Sequence, residues 1–154
     1  MDSGQLLLSR GVISRDQMQA AQQQAGGRRI DRTIVELGFA SEEQTLQALG
    51  DELGMRYVEL ANAAVDMDLL AKFPPREIFR HALFPLSRHN GTVVIATSDP
   101  FDLESLDEMS SLSGFRLEPV LARKDDIVRL IKERLGVGGD TITEMVAARK
   151  AEHD

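Results

Sequence analysis

The residue types that most often perform chemistry are sparse in this sequence. It contains no cysteine, which excludes a disulfide framework and a thiolate metal site, and it has three histidines. We interpret His81, His89 and His153 as isolated histidines without a carboxylate or a second histidine at ligand spacing, so we predict no metal site. No set of serine, histidine and aspartate indicates a catalytic triad. The sequence therefore predicts no catalytic residue.

Phosphate chemistry can be examined directly in the sequence. A Walker-type loop needs glycine, four further residues, glycine, lysine and then serine or threonine, and this string does not occur. The chain itself is therefore not expected to hydrolyse ATP. Arg28 and Arg29 could form a solvated linker pair, or Arg29 could pair with a phosphate or a guanine edge. For Asp99 and Asp102 we favour a helix cap and its first-turn partner over a ligand contact.

A repeated pattern predicts the elements that must position these side chains. Residues 7–17 and 34–44 each contain an apolar turn, a glycine suited to a positive φ angle, and a serine followed by glutamine three residues later. The serine and the glutamine form a capping box, which begins a second helix soon after the first has ended. The paired positions are Gly11, Ser14 and Gln17 in the first copy and Gly38, Ser41 and Gln44 in the second.

This pattern resembles the tandem motif of the MshEN-type domain, which opens many assembly ATPases of type II secretion and type IV pilus systems. In that motif an Arg-Leu-Gly triplet precedes an aliphatic pair, a glycine and two apolar residues, and a late glutamine follows in the capped helix. The resemblance implies cyclic di-GMP as ligand, held by arginines, backbone amides and the aliphatic pairs, and no other cofactor. The matching positions, our candidate nucleotide-binding residues, are Gly4, Leu7, Leu8, Gly11, Val12, Ile13, Arg29, Ile34, Val35, Gly38 and Phe39.

Four family positions hold other residues in this chain. Asp2 stands at the first arginine position, Asp31 at the second glycine position, and Ala25 and Glu52 at the two late glutamine positions. A bidentate partner is worth about 1–3 kcal/mol, so two or three such losses are expected to weaken nucleotide binding by several orders of magnitude. We therefore rank a non-catalytic docking domain first and a cyclic di-GMP receptor second.

The composition limits the classes of partner. A net charge of −7 and a pI near 5.0 leave no general basic field, so we expect neither nucleic acid nor an anionic membrane surface as a partner. No apolar run approaches the roughly 18 residues of a membrane span, so we expect a cytoplasmic domain without direct membrane insertion. The resemblance implies that it docks on the cytoplasmic domain of an inner-membrane secretion or pilus protein, and that an ATPase body follows in the same polypeptide.

We predict an α+β fold in three parts. Residues 1–54 form a helical tandem repeat, residues 55–136 form a small α+β module, and residues 137–154 form a linker and the start of a connecting helix. The four short helices of the repeat are predicted at about 4–10, 15–25, 30–37 and 42–53.

The α+β module is predicted to hold a three-stranded sheet and helices. Apolar runs at 83–86 and 92–96 indicate a hairpin, because the intervening Asn90-Gly91 suits a tight turn. Residues 116–121 are predicted as the third strand, and Pro119 predicts that this strand lies at an edge of the sheet.

Overall fold

A computed structural model describes residues 2–135 of the chain. The chain divides into two compact units, Met1–Tyr57 and Val58–Asp154. The sequence analysis placed the division at residue 54. The linker and connecting helix predicted over 137–154 lie outside the described residues.

The first unit contains the four short helices that the tandem repeat predicts. They are α1 (Ser3–Ser9), α2 (Arg15–Ala25), α3 (Ile30–Glu36) and α4 (Glu42–Leu53). The glycine after each short helix adopts the expected left-handed conformation, with φ of 73° at Gly11 and 78° at Gly38. Both predicted capping boxes are present, and in each the serine hydroxyl accepts the glutamine backbone N–H at 3.1 Å.

A third capping box begins α1, and the sequence analysis missed it. The Asp2 carboxylate accepts the backbone N–H of Gln5 at 2.8 Å, and the Gln5 side chain accepts the backbone N–H of Asp2 at 3.2 Å. Aspartate is a strong N-cap because its carboxylate accepts an otherwise unpaired N–H and opposes the positive end of the helix dipole. Asp2, which stands at the first arginine position of the motif, thus has a structural role of its own.

The core of the first unit lies between the four helices. Leu7, Ile34 and Leu49 are fully buried there. Gly4 is buried as well, and a Cβ at this position would lie 2.8 Å from both Sδ and Cε of Met18. Glycine at position 4 therefore allows α1 to approach Met18 of α2 closely.

The second unit is a sheet with helices packed against it. Its elements are α5 (Met67–Leu70), α6 (Pro75–His81), β1 (Phe84–His89), β2 (Thr92–Thr97), α7 (Leu103–Ser113), β3 (Arg116–Leu121) and α8 (Lys124–Arg134). The sheet order is β1-β2-β3, with β1 antiparallel to β2 and β2 parallel to β3 through α7. The predicted α+β class is thus confirmed, and Pro119 lies on an edge strand as expected.

Two local predictions in this unit need correction. The first strand runs to His89 rather than ending at residue 86, so only Asn90 and Gly91 form the turn, with φ of 59° at Asn90. Helix α7 is capped by Asp102, whose carboxylate accepts the backbone N–H of Ser105 at 3.1 Å. Asp99 instead accepts the N–H of Phe101 at 3.0 Å and closes a separate turn before the helix.

The second unit buries a larger apolar core than the first. Phe73, Phe84, Ile95, Ile127 and Ile131 are almost completely buried in it. Within residues 2–135, no helix combines the length and the hydrophobicity that crossing a bilayer requires.

We predict that Gly38→Val destabilises the first unit by about 1–3 kcal/mol, because a β-branched side chain is strained at a positive φ angle. Gly91→Val is the matched control, since a Cβ at that exposed turn position has open space around it and Gly91 is not among the positive-φ glycines. The control should change the free energy of unfolding by less than about 0.5 kcal/mol. Urea denaturation of both variants measures the difference, and equal losses would contradict the explanation.

Candidate functional site

The candidate nucleotide-binding residues fall into three groups by exposure. Gly4, Leu7, Ile13 and Ile34 are buried, and Leu7 and Ile34 have no exposed surface. These side chains build the core and offer no surface to a ligand. The corner glycines Gly11 and Gly38 are exposed, and the half-buried candidates are Leu8, Val12, Arg29, Val35 and Phe39.

The half-buried apolar candidates follow the internal repeat. Leu8 on α1 and Val35 on α3 are equivalent second members of the two aliphatic pairs, and both are partly exposed. Val12 and Phe39, which follow the corner glycines, are partly exposed in the same way. The first member of each pair is buried in both copies. Each copy therefore assigns one aliphatic residue to the core and leaves the next available at the surface.

Arg29 forms an ion pair inside the first unit. Its Nη2 lies 2.7 Å from Oδ2 of Asp31 and its Nε lies 3.2 Å from Oδ1, so the contact is bidentate. The Asp31 side chain is only 8% exposed, and the Ser3 hydroxyl also donates to Oδ1 at 3.3 Å. Asp31 occupies the glycine position of the second motif. The arginine that the resemblance places at a ligand position is thus paired with a carboxylate two residues later.

The interpretation of Arg28 and Arg29 as a solvated linker pair is correct for Arg28 and wrong for Arg29. Arg28 is mostly exposed, and it donates to the last carbonyls of α2, from Nε to Ala25 at 3.1 Å and from Nη2 to Gln24 at 3.0 Å. Arg29 is half-buried and occupies the N-cap position of α3. The difference arises because Asp31 is buried at the start of α3, and a buried carboxylate needs a cation beside it.

A second arginine is paired in a similar way. Arg10, at the C-cap of α1, lies 3.4 Å from Oε2 of Glu52 and 3.8 Å from Oδ2 of Asp51, both on α4. Glu52 is one of the two residues that replace a late glutamine, and the other, Ala25, is buried at the end of α2. All four substituted family positions therefore contribute to the first unit, as a cap, two ion-pair partners and a core residue.

This arrangement has a direct consequence for anionic ligands. A cyclic dinucleotide carries two phosphodiester charges, which arginines can bind by charge-assisted hydrogen bonds. Here the charges of Arg10 and Arg29 are already offset by three carboxylates of the same unit. A phosphate that used the Nε and Nη2 donors of Arg29 would displace Asp31 and would leave that carboxylate buried without its cation. The pairing of Arg29 with Asp31 thus opposes a ligand contact through these two donors.

The structure brings together one further group that the sequence analysis missed. Glu77, His81 and Glu108 have ligand atoms that all lie within 4.8 Å of one another. The prediction that His81 is isolated is wrong, because Glu77 precedes it by four residues on α6 and shares its helix face. That spacing was visible in the sequence. The approach of Glu108 on α7 was not, since it depends on how the two helices pack.

A family model described as the MshEN domain matches residues 53–140, which is more than half of the chain. This match begins at the end of α4, so it does not include the candidate nucleotide-binding residues, which stay predictions. Among solved structures, the chain is similar to MshE with cyclic di-GMP (cdg), with a TM-score of 0.79, 29% identity, and coverage of 87% of this chain and 99% of that one. It also shares the fold of the N-terminal domain of XpsE, with a TM-score of 0.66 at 22% identity, over 83% of this chain and 89% of that one.

Curated relatives are longer than this chain. The type IV pilus assembly ATPase PilB of Myxococcus xanthus is 26% identical over 93% of this chain and 26% of its own length. Bacteriophage adsorption protein B of Escherichia coli strain K12 is 26% identical over 81% of this chain and 17% of its own length. The chain thus spans about a quarter or less of the length of these relatives. One of them is named for pilus assembly and the other for bacteriophage adsorption.

We predict that Arg29→Ala lowers the free energy of unfolding by about 1–3 kcal/mol, because it leaves the buried Asp31 carboxylate without its charged partner. Arg28→Ala is the matched control and should cost less than about 0.5 kcal/mol, since that arginine is exposed. Urea denaturation measures both. In an Asp31→Ala background the cost of Arg29→Ala should fall markedly, and an undiminished cost there would contradict the importance of the pair.

Proposed function

The chain belongs to the MshEN domain family, and from this membership we propose that it is the non-catalytic docking and regulatory domain of a type II secretion or type IV pilus assembly ATPase. The observation that carries the proposal is the extent of the matches. The chain aligns with 99% of the MshE chain and 89% of the XpsE N-terminal domain, but with only 26% of the length of PilB. In this proposal the ATPase body follows in the same polypeptide.

The residues of the chain support a role without catalysis. The sequence lacks the Walker string, and the charged residues at the substituted motif positions, Asp2, Asp31 and Glu52, are engaged in a cap and in ion pairs within the first unit. A relative named for pilus assembly and one named for bacteriophage adsorption each align with more than four fifths of the chain. Similarity to proteins with such different names supports docking or regulation over one particular reaction.

The partner that we propose is the cytoplasmic domain of an inner-membrane secretion or pilus protein, which would hold the chain at the cytoplasmic face of that membrane. The net charge of −7 supports a protein partner over the lipid surface, because anionic headgroups would repel the chain.

We predict saturable binding of the purified 154-residue chain to inverted inner-membrane vesicles from the organism that encodes it. Liposomes made from the extracted lipids of the same membranes should bind at least tenfold less chain, because the attraction requires a protein. Sedimentation with labelled chain measures both. Vesicles treated with protease before the assay serve as a second control, and binding that survives this treatment, or that equals binding to liposomes, would overturn the docking proposal.

A cyclic di-GMP receptor is the second candidate function, favoured by the likeness to MshE solved with that ligand at 29% identity. The half-buried Leu8, Val12, Val35 and Phe39 retain the apolar part of the family motif. The pairing of Arg29 with Asp31 opposes the charged part. We therefore expect a dissociation constant weaker than about 10 μM, which corresponds to a binding free energy of less than roughly 7 kcal/mol.

We predict that Asp31→Gly, which restores the family residue and releases Arg29, tightens cyclic di-GMP binding at least tenfold in a calorimetric titration. Adding Arg29→Ala should abolish this gain. The matched control is Glu36→Gln, which also removes one negative charge from α3. Unlike Asp31, Glu36 has an exposed side chain, and it pairs with Arg28. Binding by the unaltered chain that is tighter than about 10 μM and survives Arg29→Ala would refute the assignment of Arg29.

A further inference from the structure

His81 is the last residue of α6, and its ring lies among polar side chains of the second unit. Its side chain is 9% exposed. On one side its Nδ1 lies 2.9 Å from Oγ of Ser105. On the other side its Nε2 lies 3.2 Å from Oε2 of Glu77 and 3.3 Å from Oε2 of Glu108. Nε2 is buried and has no hydrogen bond of acceptable geometry, although two carboxylates face it.

The protons of this group can be assigned from its hydrogen bonds. Ser105 has one hydroxyl hydrogen, and it donates this hydrogen to Oδ2 of Asp102 at 2.7 Å. Nδ1 of His81 must therefore donate its own N–H to Oγ of Ser105. In the neutral ring Nε2 then carries only a lone pair. A lone pair facing two carboxylates is repelled by both, so the position between these three atoms favours a cation.

Two of the three ligand–ligand distances fit a tetrahedral divalent metal ion, and the two carboxylates offer the third pair of ligand atoms within 4.8 Å of each other. Zinc binds histidine nitrogen and carboxylate oxygen at about 2.0–2.1 Å, which places neighbouring ligands of a tetrahedral site roughly 3.3 Å apart. The two distances from Nε2 to the carboxylate oxygens, 3.2 and 3.3 Å, match this edge length. Glu108 is 41% exposed, so an ion can enter from solvent and keep water as its fourth ligand.

The surroundings of the histidine also fit metal binding. A metal-binding histidine usually donates its second ring N–H to a fixed acceptor, which sets the tautomer and the ring orientation. Oγ of Ser105 is this acceptor. Ser105 is itself held in place, because its hydroxyl and its backbone N–H both donate to the Asp102 carboxylate. Asp102 is also the N-cap of α7, so the support of the ring belongs to the same helix as Glu108.

We propose that Glu77, His81 and Glu108 form a site for a divalent transition-metal ion, with Zn²⁺ as the best match, which joins α6 to α7. Arg80 competes with the ion for these carboxylates, since its Nη1 lies 3.4 Å from Oε2 of Glu77 and 3.5 Å from Oε1 of Glu108. Its side chain is 44% exposed, so it can move into solvent when the ion enters. The other candidate cation is a proton on Nε2, and the experiment separates the two.

We predict that Zn²⁺ binds the chain in a one-to-one complex and raises the melting temperature by at least about 3 °C at saturating concentration, because it binds the folded state alone. Mg²⁺ should have no such effect, since it prefers oxygen ligands in octahedral geometry. The protein for this test is the 154-residue chain with His89 and His153 replaced by glutamine, which leaves His81 as its only histidine. Calorimetry measures the affinity and stoichiometry.

The variants are chosen to retain the fold. Glu108→Gln should weaken Zn²⁺ binding at least tenfold, whereas Glu104→Gln, the same change at an exposed position on α7, should have no effect. Arg80→Gln should tighten binding by removing the competing charge. A Zn²⁺ affinity that is unchanged in Glu108→Gln would overturn the proposal.

Nitrogen NMR of the His81 ring provides a readout that a purely structural role would not change. With saturating Zn²⁺ the ring should keep the proton on Nδ1 and lose any proton from Nε2, and the Nε2 resonance should shift. If Zn²⁺ leaves the spectrum unchanged and both nitrogens carry protons, the cation is a proton and the metal site does not exist. This result is independent of the nucleotide-binding proposal, which concerns residues of the first unit, and of the docking proposal, which vesicle binding tests separately.

Discussion

The short helices of the first unit are stable because they share one buried apolar core. Isolated helices shorter than about 12–15 residues are marginal in water, and α1 and α3 have seven residues each. They are held by Leu7 and Ile34, whose complete burial contributes about 1.5–3 kcal/mol for each side chain. The corner glycines then direct the chain into the next capped helix. This need for shared burial explains why one residue of each aliphatic pair lies in the core and only its neighbour remains at the surface.

The same scaffold accommodates residues that depart from the motif of the resembled family. Asp2 caps α1, Glu52 pairs with Arg10, and Asp31 pairs with Arg29. Each of these residues makes a contact within the first unit. The departures from the motif therefore support the fold.

Electrostatics take a different form in the second unit. There a buried histidine faces two carboxylates, and its remaining ring nitrogen is committed to Ser105. The His81 side chain is nine-tenths buried, so water cannot offset the negative charge that faces its ring. The stability of this group therefore depends on how many protons and cations it holds. Arg80 supplies part of the positive charge from its exposed side.

The sequence by itself determined the features that depend on neighbours along the chain. The capping boxes at Ser14 and Ser41, the left-handed glycines and the Asn90-Gly91 turn all involve residues within a few positions of each other, so their spacing predicts them. Pro119 marked the edge strand because a missing backbone N–H excludes a central one. The choice between Asp99 and Asp102 as the cap of α7 was ambiguous, since both signals are local and overlap.

Only the tertiary structure decided which charged groups meet. The ion pair of Arg10 with Glu52 joins residues 42 positions apart, and the approach of Glu108 to His81 joins two helices, so neither follows from spacing. The Arg29–Asp31 contact is local, but its importance comes from the burial of Asp31, which packing imposes. Burial sets the effective dielectric around each charge, and burial is a property of the assembled fold rather than of any short stretch of sequence.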